Sequence, residues 1–368
     1  MQRRHFIRNM SMAGMGLLAS PYLPARTDPP AKGIPLMPPY LSRGHTIGIT
    51  CPSSPLSEKE ARYAMESLKS WGFEVVLGNS VDKQWQRYGG TDEERAADLQ
   101  QMLDNPTIKA ILFARGGYGA MRIIDKLNWT KFEQGPKWLI GFSDITAFHC
   151  HVHTRFDIPT MHADMVNGFN GIENASNRSL YKALSGQRTE YSFDGYTLNR
   201  AGQSSGQLVG GNLSLIYAMQ ASPSELKTDG KILFIEDVSE YKYTVDRMLM
   251  NLKRSGKLQN LAGLIVGGFT ATKEDTEMNY PMSIEEIIME KVQEYKYPVC
   301  FHFPAGHQKL NLALKLGLHY NLYVTNAACS LSEVADPHPD IVPAMRYSDS
   351  TYNEPSVPLP DSSLAKRQ

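Results

Sequence analysis

The sequence predicts an α/β protein, with a parallel sheet covered by helices on both faces in its N-terminal half and a second α/β unit after it. Three observations lead there. Between residues 46 and 148, short apolar runs of strand type alternate four times with segments of helical spacing, joined by short loops. From 170 to 206 the pattern dissolves into Asn, Ser, Gly and Thr, and beyond it strand-like runs resume. A chain of 368 residues is also long enough for about two domains.

The elements follow in order. Thr46-Ile47-Gly48-Ile49-Thr50 reads as a first strand, closed by the turn Pro52-Ser53-Ser54-Pro55. Helical spacing over 57–71 places Ala61, Ala64, Met65, Leu68 and Trp71 on one face, and Gly72 stands where a helix C-terminal glycine belongs. A second strand covers 73–77. Thr91-Asp92-Glu93-Glu94 is a capping box that opens a helix with apolar face Ala96, Leu99, Met102 and Leu103. A third strand, 110–113, runs into Arg115-Gly116-Gly117-Tyr118-Gly119, and a helix is expected over 121–127. The fourth strand, Trp138-Leu139-Ile140, breaks at Gly141-Phe142-Ser143-Asp144, and helical spacing resumes from Ile145. In the second unit, strands are expected at 231–235, 264–266 and 298–301, helices at 245–252 and 283–295, and a hairpin at 316–331. The resulting division is a leader at 1–32, a first domain at 40–175, a linker at 176–205, a second domain at 206–335 and a disordered tail at 336–368.

Composition excludes several functions. The 38 basic and 38 acidic residues balance, so no field of one sign points to nucleic acid or an anionic membrane. Cys51, Cys150, Cys300 and Cys329 lack CxxC spacing and read as free buried thiols. His149 and His153 share a helical face at i, i+4, but without an HExxH glutamate they are weak metal ligands.

The break after the fourth strand has the layout of a nucleophile elbow: strand, glycine-relieved turn with a serine, then a helix at once. Ile145 replaces the second glycine of the G-x-S-x-G form, and Ser143 is equally a helix-cap residue. Ligands in parallel sheets bind beyond the carboxyl ends of the strands, where both Ser143 and the glycine loop fall. Glu236 and His307 each follow an apolar strand, but spacing leaves open whether Glu236 or Asp237 faces inward. Arg115 suits either a substrate carboxylate or a neighbouring acid.

Taken together, the motifs over about 44–333 resemble the LD-carboxypeptidase family of serine peptidases, which includes murein tetrapeptide carboxypeptidases and microcin C immunity peptidases. They are Gly90-Thr91-Asp92 with Arg95, Ala114-Arg115-Gly116-Gly117-Tyr118-Gly119, Gly141-Phe142-Ser143-Asp144-Ile145-Thr146, Gly210-Gly211-Asn212-Leu213, Phe234-Ile235-Glu236-Asp237 and Gly306-His307. The resemblance implies a Rossmann-like N-terminal domain, a mixed, β-rich C-terminal domain and an active site between them. It implies Ser143 as nucleophile, His307 as general base, Glu236 as its orienting carboxylate, and the N–H groups of Gly117 and Asp144 as the oxyanion hole. Arg115 and Asn212 become candidates for substrate binding. No metal or other cofactor is implied, and a homodimer is common. Phe142 departs from the tyrosine frequent in the murein enzymes.

The expected activity is removal of the terminal D-Ala from murein tetrapeptides. The alternatives are hydrolysis of an amide in a microcin C-type peptide–nucleotide, and a non-catalytic periplasmic muropeptide-binding protein. The start Arg3-Arg4-His5-Phe6 with a short apolar run after it resembles a twin-arginine export signal, too short to span a membrane, so the expected location is the periplasm, with the cytoplasm as alternative.

Overall fold

The computed structural model describes residues 36–273 and 280–334. The export-type leader and the tail read as disordered lie outside them. The elements are β1 (Thr46–Thr50), α1 (Glu58–Ser70), β2 (Glu74–Leu77), α2 (Asp92–Asp104), β3 (Ile108–Phe113), α3 (Ala120–Ile123), α4 (Thr130–Gln134), β4 (Trp138–Ile140), α5 (Thr146–Arg155) and β5 (Thr160–His162). They continue with α6 (Ala175–Leu184), β6 (Glu190–Asp194), β7 (Gly202–Asn212), α7 (Leu213–Ala218), β8 (Ile232–Val238), α8 (Lys242–Arg254), β9 (Gly263–Thr270) and α9 (Ile284–Val292). The last are β10 (Val299–Cys300), β11 (Leu314–Leu316), β12 (His319–Val324) and β13 (Ala328–Glu333).

Two sheets result. The first has the order β11-β5-β4-β3-β1-β2, parallel throughout except for β11, which runs antiparallel to β5. The second has the order β10-β9-β8-β7-β12-β13-β6, parallel from β10 to β7 and antiparallel beyond. Helices start where local chemistry says they should. Ser57, Thr91 and Ser283 each form a full capping box, opening α1, α2 and α9. Apolar Phe148, Leu213, Leu233 and Leu249 belong to one continuous core shared by α5, α7, β8 and α8. Close approach there depends on glycine: a Cβ on Gly210 would lie 1.9 Å from the Phe234 oxygen, and one on Gly211 2.5 Å from Thr146 Oγ1.

Three regions depart from expectation. The stretch read as a linker contains α6 and β6. Helix α6 packs polar residues inward: Ser176 and Ser179 are buried and accept hydrogen bonds from the backbone N–H groups of Asn311 and Ala313, both 2.9 Å. Leu180, Ala183 and Leu184, in the second half of the same helix, pack into the core beside the first sheet. The helix expected over 121–127 is a single α-turn, α3, continued by a 3₁₀ turn at Ile124–Lys126. Strand β11, far along the chain, completes the first sheet.

Candidate active site

Strand β4 delivers the chain through Gly141 and an extended Phe142 into Ser143, which adopts φ 62°. A non-glycine residue in the left-handed region is costly and marks a constrained turn. A 3₁₀ turn at Ser143–Ile145 runs directly into α5. Neither helix start carries a side-chain cap, so Ser143 is not spent as one. Its hydroxyl instead lies 3.1 Å from His307 Nε2.

His307 follows Gly306, whose φ is 102° and whose Cβ, were there one, would lie 2.7 Å from Glu236 Cβ. Glycine there lets the loop lie flat on the carboxylate. Glu236, on β8, is fully buried and is the inward-facing member of its acidic pair. Its Oε2 accepts from His307 Nδ1 at 2.6 Å and from the His307 backbone N–H at 3.1 Å. With Nδ1–H donating to Glu236, Nε2 is left to accept from the Ser143 hydroxyl. Burial disfavours the charged ring, but the hydrogen bond and charge of Glu236, with Asp237 behind, outweigh it and hold the His307 pKa above its ordinary value. Phe142 packs its ring 4.8 Å from that of His307.

The neighbouring acid has a different task. Asp237 accepts from Asn212 Nδ2 at 2.9 Å and from the Ser214 N–H and hydroxyl at 2.9 and 2.7 Å. Burial pushes its pKa up to about 6. Asn212 is 3% exposed, and its side-chain oxygen caps α7 through Leu215 N, so both ends of the amide are engaged within the fold. Arg115 is half-exposed and sits 3.9 Å from Glu60 Oε1.

Opposite His307, the glycine loop lies against the serine. A Cβ on Gly116 would stand 2.9 Å from Ser143 Oγ and 3.5 Å from the Asp144 nitrogen. Gly117 has φ 107° and passes so close to Ser54 that a Cβ would lie 2.0 Å from its hydroxyl. Two groups hold this loop. The buried Asp144 carboxylate accepts from Ser53 Oγ and from Ala120 N at 2.8 Å, while burial pushes its pKa up. Arg95, fully buried, donates to the carbonyls of Pro52, Gly90 and Gly119 and pairs with Asp92. Neither the Asp144 carboxylate nor Arg95 was assigned a task from the sequence. The available signal was an arginine beside the apolar face of α2.

The clustered histidines are hydrogen-bonded core residues. His149 Nε2 lies 2.9 Å from the Gly141 oxygen, His153 Nε2 2.9 Å from Thr160 Oγ1, and His151 Nδ1 2.7 Å from Ser224 Oγ. Burial holds His149 and His151 down to about 4. The four cysteines are free and buried.

A hydroxyl on a strained turn, bonded to an imidazole whose other nitrogen is held by a buried carboxylate, is the arrangement that makes serine a nucleophile near neutral pH. The comparisons point the same way. Residues 47–163 match the LD-carboxypeptidase N-terminal domain, and residues 205–322 match the LD-carboxypeptidase C-terminal domain. A probable murein peptide carboxypeptidase of Bacillus subtilis (strain 168) is 34% identical over 286 residues, 76% of this chain and 89% of that protein. The crystal structure of muramoyltetrapeptide carboxypeptidase from Oxalobacter formigenes superposes with TM-score 0.73 at 27% identity, covering 80% of this chain and all of that one. The microcin C7 self-immunity protein MccF, at 23% identity, TM-score 0.73 and coverage of 82% and 99%, shares the fold.

Proposed function

The chain belongs to the LD-carboxypeptidase family of serine peptidases, and from that premise we propose that it removes the terminal D-Ala of murein tetrapeptides through an acyl-enzyme on Ser143. The observation that carries the reading is the hydrogen-bond chain from Ser143 through His307 to buried Glu236. Ser143 Oγ attacks the carbonyl at the L-centre while His307 Nε2 takes its proton. Glu236 holds the ring in the required tautomer and stabilises it once charged. The oxyanion of the tetrahedral intermediate forms beside the Gly116–Gly117 loop, where the N–H groups of Gly117 and Asp144 receive it. His307 then passes its proton to the departing amine of D-Ala. Water, deprotonated by the same imidazole, releases the tripeptide and restores the serine.

Mass spectrometry of murein tetrapeptide incubated with the intact protein and with Ser143→Ala tests this. Loss of one alanine with the intact serine alone is the expected result. An unchanged tetrapeptide, with cleavage of a peptidyl nucleotide instead, would transfer the chemistry to the antibiotic amide.

The location is part of the same proposal. Arg3-Arg4 and the short apolar run after them support export in folded form to the periplasm, where the substrate would be the sacculus or released muropeptides. A reporter fused to the leader should stay inside when both arginines become lysine. A homodimer is proposed on the family resemblance, and sedimentation equilibrium of the mature protein at twice its own monomer mass would support it.

A further inference from the structure

We propose that Trp85 is a stacking platform for a pyranose ring, so that the preferred substrate is a muropeptide still attached to its glycan; this rests on the murein reading above. Of the four tryptophans, Trp129 and Trp138 are buried, whereas Trp85 is 40% exposed at the surface. Its exposure is built rather than incidental. Trp85 and Tyr88 exchange backbone hydrogen bonds, both 2.9 Å, which closes a two-residue turn with Gln86 at φ 53°. Tyr88 stacks on one face of the indole, with centroids 5.8 Å apart and planes 23° apart. Tyr88 is itself fixed by Arg95 and Arg122, whose guanidinium carbons lie 4.9 and 5.3 Å from its ring centroid. The turn therefore holds one indole face rigid while the other stays open to solvent.

Position and reach connect the platform to the site. Tyr118, 41% exposed, lies 6.0 Å from Tyr88 between ring centroids, and it directly follows Gly117 in the loop that lies against Ser143. Two ring-to-ring steps thus lead from the glycine loop to Trp85. The three residues between a scissile D-Ala bond and the sugar span about 10 Å when extended, a similar reach. A single open face suits a pyranose, which has one face of C–H groups and a rim of hydroxyls, and Gln84 stiffens the turn beneath it by donating its amide to the Gln86 carbonyl at 3.0 Å.

The test compares kcat/KM for disaccharide-tetrapeptide with that for free tetrapeptide, in the intact protein and in Trp85→Ala and Trp85→Phe. The intact protein should favour the glycan-linked peptide by about three- to tenfold, a stacking-sized effect. Trp85→Ala should bring the ratio to one, and Trp85→Phe should keep part of it. Equal rates on both peptides in the intact protein, or a preference that survives Trp85→Ala, would overturn the proposal while leaving the murein reading intact. Failure to cleave either peptide would remove the murein reading and the proposal with it.

Discussion

His307 sits between two hydrogen bonds, and in the proposed mechanism its protonation decides whether Ser143 can lose a proton. The ring must be neutral to act as base, and Glu236 together with Asp237 raises its pKa above the histidine value of 6.5. Activity is therefore present above that raised pKa and lost as pH falls through it. The acid limb of kcat/KM should have its midpoint above 6.5. Glu236→Gln removes the charge and leaves the wrong tautomer favoured, so turnover should fall roughly 10³–10⁴-fold and the midpoint should move down. A pH–rate profile of both proteins checks this, and a midpoint unmoved by Glu236→Gln would show that another group titrates. Much of this scale was legible in the sequence, because Ser143, Glu236 and His307 each follow an apolar run within a recognisable motif. Which of Glu236 and Asp237 meets His307 was not, since both are buried and only their partners, His307 for one and Asn212 with Ser214 for the other, separate them.

The glycine loop is held by partners far apart in sequence, and its precision comes from them. Arg95 ties Pro52, Gly90 and Gly119 together, and Asp144 ties Ser53 to Ala120. Gly116→Ala would press a methyl carbon to 2.9 Å from Ser143 Oγ, displacing the serine or the loop. Turnover should drop at least 10²-fold, as when one oxyanion donor is lost, with little change in melting temperature. Arg95→Met leaves three carbonyls without their donor, while Asp92 keeps both of its bonds from Arg122. It should destabilise the fold by about 3 kcal/mol in urea unfolding, the upper size expected for buried acceptors left without a donor. Capping boxes and apolar strands announced most elements, since both are local signals. Helix α6 was not announced, because its first half buries the polar Ser176, Asn177 and Ser179, two of which bond loop residues Asn311 and Ala313 more than a hundred positions away, and only its second half, Leu180, Ala183 and Leu184, packs apolar side chains into the core.

Across the whole molecule, the two sheets are not independent. Strand β11 comes from the C-terminal part of the chain yet closes the N-terminal sheet against β5. Within it Lys315, fully buried, bonds Glu333 at 2.9 Å and the Gln187 carbonyl at 2.9 Å. The described residues should therefore melt in one cooperative calorimetric transition, and a fragment ending near residue 200 should not fold alone. Two resolved transitions would show that the sheets unfold separately. No sequence pattern announced β11, because three residues carry no periodicity and their partner lies about 150 positions earlier.

Everything proposed for this site passes through covalent acylation of Ser143. Acid quench of the protein during turnover of tetrapeptide, followed by digestion and mass spectrometry, tests it most directly. A tripeptidyl adduct should appear on the peptide containing Ser143 and be absent in Ser143→Ala, which should lose roughly 10⁴-fold or more in turnover. Alanine release by Ser143→Ala at the intact rate, or an adduct on any other residue, would contradict it.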